Sequence, residues 1–538
     1  MKRNVRHLVL AGLLLLPMGA TAAPATAPLA MSGLAGAASI NRTAPPSGED
    51  PDNLVGEFIK YFKKYEDSAT RVEAILALED VEDAGVVRVL VPVLKLEDKD
   101  VVQAAVRVLS GFKTSEPIEA FLVALEEEKK EPTRLGLLRA LAAGRYGGAD
   151  KSLEKCLKDR RSWRVRRAGV LALAAGPSEG AAELIVKLAG DREPAVRCAV
   201  LDSLAERGSG LVLEPAAAGL DDAVWQVRAS AISALARVRR TNSVPLLIAQ
   251  MAREEGRLAA DVAAALESLT GRAFGQRREL WERFWETYKE RYEIPTDEEL
   301  AKLLAAKKAR AEEYSPPGAV SYHGISTPSR SILFVIDVSG SMENMVVERE
   351  KFAEGGYPSM QRLDIVKTEL ARTIERLEPY VKFNVIAFAT KIEHWKKRQQ
   401  KANALGRSSA ADWVRNLEAI GGNSKETYSA VGLAGAANLE GGKTNTYGAL
   451  MAALGIDPDP KSPRTGDYQI ELDTIFFLSD GRPSTGQYID SADILREFTA
   501  ANATCKVVLH TIAIGEFRKQ FMKDLAKANG GSFVDLGR

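Results

Sequence analysis

The chain has 538 residues, with 73 Lys and Arg against 72 Asp and Glu and a formal net charge of +1. A balance this close to neutral argues against nucleic acid as a partner and against attraction to acidic membranes by bulk charge. With 46% hydrophobic residues there is apolar material for sizeable cores, and the three cysteines, Cys156, Cys198 and Cys505, are spaced as buried thiols rather than as a disulfide framework or a zinc motif.

Lys2, Arg3 and Arg6 open the chain, and an apolar run follows from Leu8 to Met18. Ala20-Thr21-Ala22 then supplies the small residues a signal peptidase requires. This pattern predicts a bacterial secretory signal peptide over residues 1–22. Its apolar core is shorter than the roughly 20 residues of a membrane span; an uncleaved membrane anchor is the alternative. Residues 23–50, rich in Ala, Pro, Thr and Gly, read as a disordered tether. No later segment is long and apolar enough to span a membrane. The expectation is an exported protein, periplasmic or secreted, with no integral membrane span after cleavage.

Residues 51–274 carry an internal repeat. Leu78, Leu109, Leu141, Leu173, Leu204, Leu235 and Leu266 follow one another at intervals of 31 or 32. Eight residues before each stands Thr70, Val101, Thr133, Val165, Val196, Val227 or Leu258. Arginine follows that anchor at Arg71, Arg134, Arg166, Arg197 and Arg228. Small residues fall at Ala104, Gly136, Ala168, Ala199 and Ser230, where close helix approach would need them. A period in the thirties with paired helical patterns predicts an α-solenoid. The units, above all Glu193-Pro194-Ala195-Val196-Arg197-Cys198-Ala199-Val200-Leu201, resemble short HEAT repeats. The arginines invite a nucleic-acid reading. Acidic residues such as Asp191 and Asp222 precede several of them, however, which favours a polar ladder between repeats. The long concave surface of a solenoid is a place for a protein partner.

Residues 275–330 form a transition. Trp281, Phe284, Trp285, Tyr288 and Tyr292 recur at helical spacing and predict a hydrophobic cap on the last repeat; an aromatic face for glycan, using Trp281 and Trp285, is the alternative. A charged helix follows from about Asp297 to Glu313. Ser315-Pro316-Pro317-Gly318 breaks it, and a linker with an edge strand near Tyr322 leads on to residue 331.

Residues 331–538 alternate strand and helix, which implies a mostly parallel sheet covered on both faces. Ile332 to Ile336 is an apolar run ending in Asp337-Val338-Ser339-Gly340-Ser341. Ligands sit just past the carboxyl ends of such strands, and a carboxylate with two hydroxyls suits a hard divalent cation. Two later motifs follow, Gly441-Gly442-Lys443-Thr444-Asn445-Thr446 and Phe476-Phe477-Leu478-Ser479-Asp480-Gly481. Together these three resemble the metal-ion-dependent adhesion site of von Willebrand factor type A domains. The resemblance implies a doubly wound α/β domain and Mg²⁺, alternatively Mn²⁺ or Ca²⁺, at Asp337, Ser339, Ser341, Thr444 and Asp480. It also implies an open metal position that a partner's acidic residue completes. Lys443 departs from the family's direct Gly-Thr step. Thr444 is preferred to Thr446 as the ligand, because Thr446 fits as the cap of the next helix. Strands are expected at Val381–Phe388, Val507–Gly515 and Ser532–Leu536, and helices at Leu363–Leu377 and Phe521–Asn529. Two segments, Glu343–Gln361 and Lys397 to about Glu440, read as insertions.

No nucleophile elbow, phosphate loop or histidine-rich motif is present. The expected function is metal-dependent protein binding or scaffolding with no catalysis. A site that only stabilises the domain is the alternative, and a metal-dependent hydrolase is the weaker one.

Overall fold

The computed structural model describes residues 51–308, 320–421, 441–455, 470–515 and 519–536. The signal peptide and tether expected at 1–50 lie outside them, as do residues 422–440 of the second insertion. The architecture is an α-solenoid joined to a doubly wound α/β domain.

Seven long helices carry the repeated leucines, except Leu78, which lies just past the end of the first. They run at Ser68–Leu76, Lys99–Leu109, Glu131–Gly144, Trp163–Ala175, Pro194–Glu206, Trp225–Val238 and Gly256–Thr270. Six further helices, shorter for the most part except Ser115–Glu127, alternate with them, from Ala84–Leu90 to Ser243–Met251. Neither helix of a pair can bury its apolar face alone, so the pairs stack and share one continuous core from Phe58 to Phe284. Small residues permit the approach. A Cβ on Gly136 would stand 3.0 Å from the Leu94 side chain. In the next repeat the tight position is Gly169, 3.2 Å from Leu157, and not Ala168, which is only half-buried.

Four of the five arginines form the expected ladder, Arg134 on Asp159 among them, while Arg71 Nε donates instead to the Tyr65 carbonyl at 3.0 Å. Arg166 grips Asp191 with Nε and Nη2 at 2.6 and 2.7 Å. Arg197 grips Asp222 at 2.7 and 2.9 Å, and Arg228 holds Glu254 at 2.7 Å. Each of these last three guanidinium groups also donates through Nη1 to a backbone carbonyl just before its own helix: Asp159, Asp191 and Asp222 respectively. The aspartates do a second job. Asp191 accepts from the Glu193 amide at 2.8 Å, and Asp222 from the Val224 amide at 2.9 Å, which closes the turn into the next helix. Burial pushes the Asp191 carboxyl up, but Arg166 and the Glu193 amide outweigh it, and the net shift is downward. These guanidinium groups are spent inside the protein.

Trp281 is fully buried under the last repeat, edge-on to Phe274 at 4.8 Å. That is the cap expected of the aromatic helix, Arg278–Tyr288. It removes Trp281 from any glycan-binding face. The stretch before residue 331 contains two strands instead of one: β1 (Val320–Tyr322) pairs antiparallel with β2 (Ile325–Thr327). Tyr322 is buried edge-on to Phe334 and Phe476, so this hairpin packs on the α/β domain.

The main sheet contains β3 (Ser331–Asp337), β4 (Lys382–Phe388), β5 (Ile392–His394), β6 (Gln400–Lys401), β7 (Thr474–Ser479), β8 (Val508–Ala513) and β9 (Phe533–Asp535). Its order is β5-β4-β3-β7-β8-β9, with β6 also on β4. The segments β4-β3-β7-β8-β9 are parallel, while β5 and β6 run antiparallel along the outer edge. Every residue of β3 is buried. Ile332, Phe334 and Ile336 face one core; Leu333 and Val335 face the other. The segment after Lys397 is not all insertion. It supplies β6 and the helix Ala404–Arg415, whose Ala410, Ala411 and Val414 are buried in the first core. The insertion at 343–361 forms short 3₁₀ turns.

The row of long helices docks on the α/β domain. Ala195, fully buried, belongs to the second core, with Trp163 packed beside it. Trp225 Nε1 donates to the Ile470 carbonyl at 2.9 Å, and Lys506 Nζ meets Asp202 at 2.5 Å. At the other end Lys99 Nζ donates to Gln487 Oε1 at 3.2 Å.

Arg166→Ala should lower the unfolding free energy by about 3 kcal/mol, the order expected when one partner of a buried ion pair is removed. Urea denaturation followed by circular dichroism measures it. A loss under about 1 kcal/mol, the size of an exposed pair, would show that the ladder is ornamental.

Candidate metal centre

The site lies where the chain's direction across the sheet reverses. From β3 the chain moves to β4 on one side, then returns to β7 on the other. The carboxyl ends of β3 and β7 are therefore adjacent, with Ile336 paired to Leu478. This is where open α/β sheets leave a crevice. Asp337 ends β3, and Asp480 follows the last residue of β7.

The first loop is held by backbone bonds. The Val338 amide donates to the Phe388 carbonyl at 2.8 Å, and the Gly340 amide to the Gly442 carbonyl at 3.1 Å. The second bond ties the first loop to the threonine loop. That loop is in turn tied to the loop after β7: the Thr444 amide donates to Ser484 Oγ at 2.9 Å, and the Ser484 amide returns to the Thr444 carbonyl at 3.0 Å. The three motifs, far apart in sequence, are thus one hydrogen-bonded rim.

Inside the rim, Asp337 Oδ1 accepts from the Ser339 amide at 2.8 Å, and Oδ2 from Ser479 Oγ at 2.5 Å. Ser341 Oγ donates to Asp480 Oδ1 at 2.7 Å and lies 3.3 Å from Ser339 Oγ. Arg362 Nη1 meets Asp480 Oδ2 at 2.5 Å. Gly481 leaves a space among these groups. A Cβ there would stand 3.1 Å from Thr444 Oγ1 and 3.5 Å from both Asp337 Oδ2 and Ser341 Oγ. Asp337, Ser339, Thr444 and Asp480 are buried; Ser341 is half-buried.

All five residues singled out in the sequence are brought together. The serines do not cap the 3₁₀ turn Gly340–Glu343, since Ser339 makes no side-chain cap bond. Thr446 differs from expectation. The cap of the helix Thr446–Ala453 is Asn445, whose Oδ1 accepts from the Gly448 amide at 2.9 Å. Thr446 Oγ1 is buried without a hydrogen-bond partner among the described residues. Asn is the better N-cap residue of the two. Two residues escaped the sequence reading. Ser479 sits beside Asp480, but its bond to Asp337 depends on strand pairing. Arg362 follows the first insertion, and nothing in its neighbours marks it.

Burial, then the charge of Asp480, pushes the Asp337 carboxyl up to about 7. Asp480 is also raised by burial, against the opposing pull of Ser341 and Arg362. Two carboxyls held this close favour either a retained proton or a cation. The donor set is hard oxygen: two carboxylates and three hydroxyls. Among the described residues no three His, Cys, Asp or Glu side chains form a metal-sized group. Such oxygen donors suit a hard divalent ion such as Mg²⁺.

A family model described as HEAT repeats matches residues 57–142 and 151–235. The chain is 26% identical over 209 residues to inter-alpha-trypsin inhibitor heavy chain H1 of Mesocricetus auratus, covering 39% of this chain and 18% of that protein. It is 25% identical over 165 residues to heavy chain H4 of Homo sapiens, covering 30% of this chain and 14% of that one. The chain thus matches less than a fifth of either relative. Among solved structures, the conserved hypothetical protein BatB of Bacteroides thetaiotaomicron is 14% identical, covering 38% of this chain and 89% of its own, at a TM-score of 0.24. The solenoid thus carries HEAT repeats where that model matches, and in the α/β domain joined to it the three motifs that resemble the von Willebrand factor type A metal site are gathered at one end of the sheet.

Proposed function

We propose that this is an exported, non-enzymatic binding protein. Its α/β domain takes up Mg²⁺, alternatively Mn²⁺ or Ca²⁺, at Asp337, Ser339, Ser341, Thr444 and Asp480, and uses it to hold an acidic residue of a protein partner. The observation that carries this reading is the convergence of two buried carboxylates and three hydroxyls around the space beside Gly481. When bound, the ion supplies a Lewis-acidic position that a partner's Asp or Glu completes. Asp337 and Asp480 balance its charge, and the hydroxyls contribute neutral donors. Ser479 and the Ser339 amide fix the orientation of Asp337.

Binding is favoured over hydrolysis because the site's polar groups are engaged with one another. Among the described histidines, His323 lies in the hairpin turn, His394 on an edge strand and His510 in a core strand, away from the three loops. Export rests on the basic start, the apolar run Leu8 to Met18 and Ala20-Thr21-Ala22. Among the described residues no helix is long and apolar enough to cross a membrane. A second protein partner would use the solenoid's shorter helices, since the long ones contact the α/β domain.

Calorimetric titration of the full chain with Mg²⁺ should show binding that Asp337→Asn or Asp480→Asn weakens by more than about 100-fold, beyond the cost of losing an outer-shell group. Binding that survives in both variants would place the ion elsewhere. A partner captured by wild type should be released by chelator and missed by either variant. If Mg²⁺ raises the melting temperature and no partner responds to chelation, the site is stabilising only.

The raised Asp337 carboxyl gives a second expectation. Its folded value lies above the unfolded one, so the ion-free protein binds a proton that the unfolded chain has lost. Stability of the ion-free protein should fall as pH rises from about 4 to about 7. Ion uptake should release protons over that window and grow stronger toward pH 7. Calorimetry at about pH 6 in two buffers of different ionisation enthalpy checks this; identical heats would exclude coupled proton release.

A further inference from the structure

Arg362 is a charged group at the site for which the proposed ion chemistry has no use. It stands first in the helix Arg362–Glu375. Its amide donates to the Asn344 carbonyl at 3.0 Å, so the 343–361 insertion sets its position. Its Nη1 lies 2.5 Å from Asp480 Oδ2, with the two side chains 14% and 0% exposed. Its Nε is buried with no hydrogen-bond partner among the described residues. The guanidinium is therefore held by Asp480 and not by a network of its own. The remaining Asp480 oxygen accepts from Ser341, one of the five donors.

We propose that Arg362 is an internal competitor for the divalent ion, a positive side chain that occupies Asp480 until the ion displaces its charge. This inference rests on the metal-binding reading above. When both are ionised, Asp337 and Asp480 bring two negative charges to a site largely closed to water. One guanidinium neutralises half of that. A divalent ion in the same site meets the guanidinium as a like charge at short range, where solvent screens little. Arg362 thus stabilises the ion-free form and weakens the loaded one. The site fills only where the ion is plentiful, and its occupancy follows the ion concentration instead of saturating at trace levels.

The test uses the full chain with three forms: wild type, Arg362→Gln, which keeps a hydrogen-bond donor but no charge, and Arg362→Lys, which keeps the charge. Arg362→Gln should bind Mg²⁺ at least about tenfold more tightly than wild type by calorimetry. In chelator the same variant should melt at a lower temperature than wild type, because Asp480 has lost its counter-charge, and Mg²⁺ should close that gap. Arg362→Lys should stay near wild type in both measurements. If Arg362→Gln folds only with Mg²⁺ present, the competition is confirmed in its strongest form. If it binds Mg²⁺ equally or less tightly, or stays unfolded with Mg²⁺ in excess, the proposal is overturned and Arg362 instead steadies Asp480 for the ion. If neither wild type nor Arg362→Gln binds any divalent ion, the metal-binding reading itself has failed.

Discussion

The structure turns on two carboxylates that fold stability alone would keep apart. Parallel pairing of β3 with β7 brings Asp337 and Asp480 to the same end of the sheet, sealed from water. Unscreened, they repel, and burial penalises both. Every nearby feature answers that problem. The Ser339 amide and Ser479 hydroxyl solvate Asp337; Ser341 and Arg362 solvate Asp480. The three loops must then be laced together, Gly340 to Gly442 and Thr444 to Ser484, or the arrangement would spread apart. Burying two carboxylates together is costly, and hydrophobic residues of similar volume would serve stability better.

The solenoid handles charge differently. There the guanidinium groups of Arg166, Arg197 and Arg228 are paired in place, each bidentate on a carboxylate and again on a backbone carbonyl. The ladder fixes the angle between successive repeats, because one aspartate both receives the previous arginine and starts its own helix. A solenoid so stiffened presents its long helices as a rigid row, and the α/β domain uses that row as a wall of its own core through Ala195 and Trp163.

Much of this was legible in the sequence. The 31- to 32-residue leucine spacing reports a contact every repeat must make. The five oxygen donors were readable because each lies in a short motif at a strand end or helix start. What escaped was set by geometry across the chain. Arg362 reaches Asp480 only because the insertion before it folds back, and Ser479 matters only because β7 lies beside β3. Asn445 took the cap from Thr446 on a one-residue difference that spacing cannot resolve. The docking of the two domains left no trace either: Lys99, Asp202, Trp225 and Lys506 read singly as ordinary surface residues, and Ala195 as a solenoid core position.

That docking constrains how the chain can change. Solenoids tolerate gain or loss of whole units, because each unit answers only to its neighbours. Here Lys99 in an early repeat meets Gln487, while Trp225, several repeats later, meets Ile470. Both anchor points belong to one rigid domain. Inserting or deleting a unit between them would throw one end out of step by a full repeat. The repeat number is thus measured against a fixed ruler, and variation in length should be confined to the helices before Lys99.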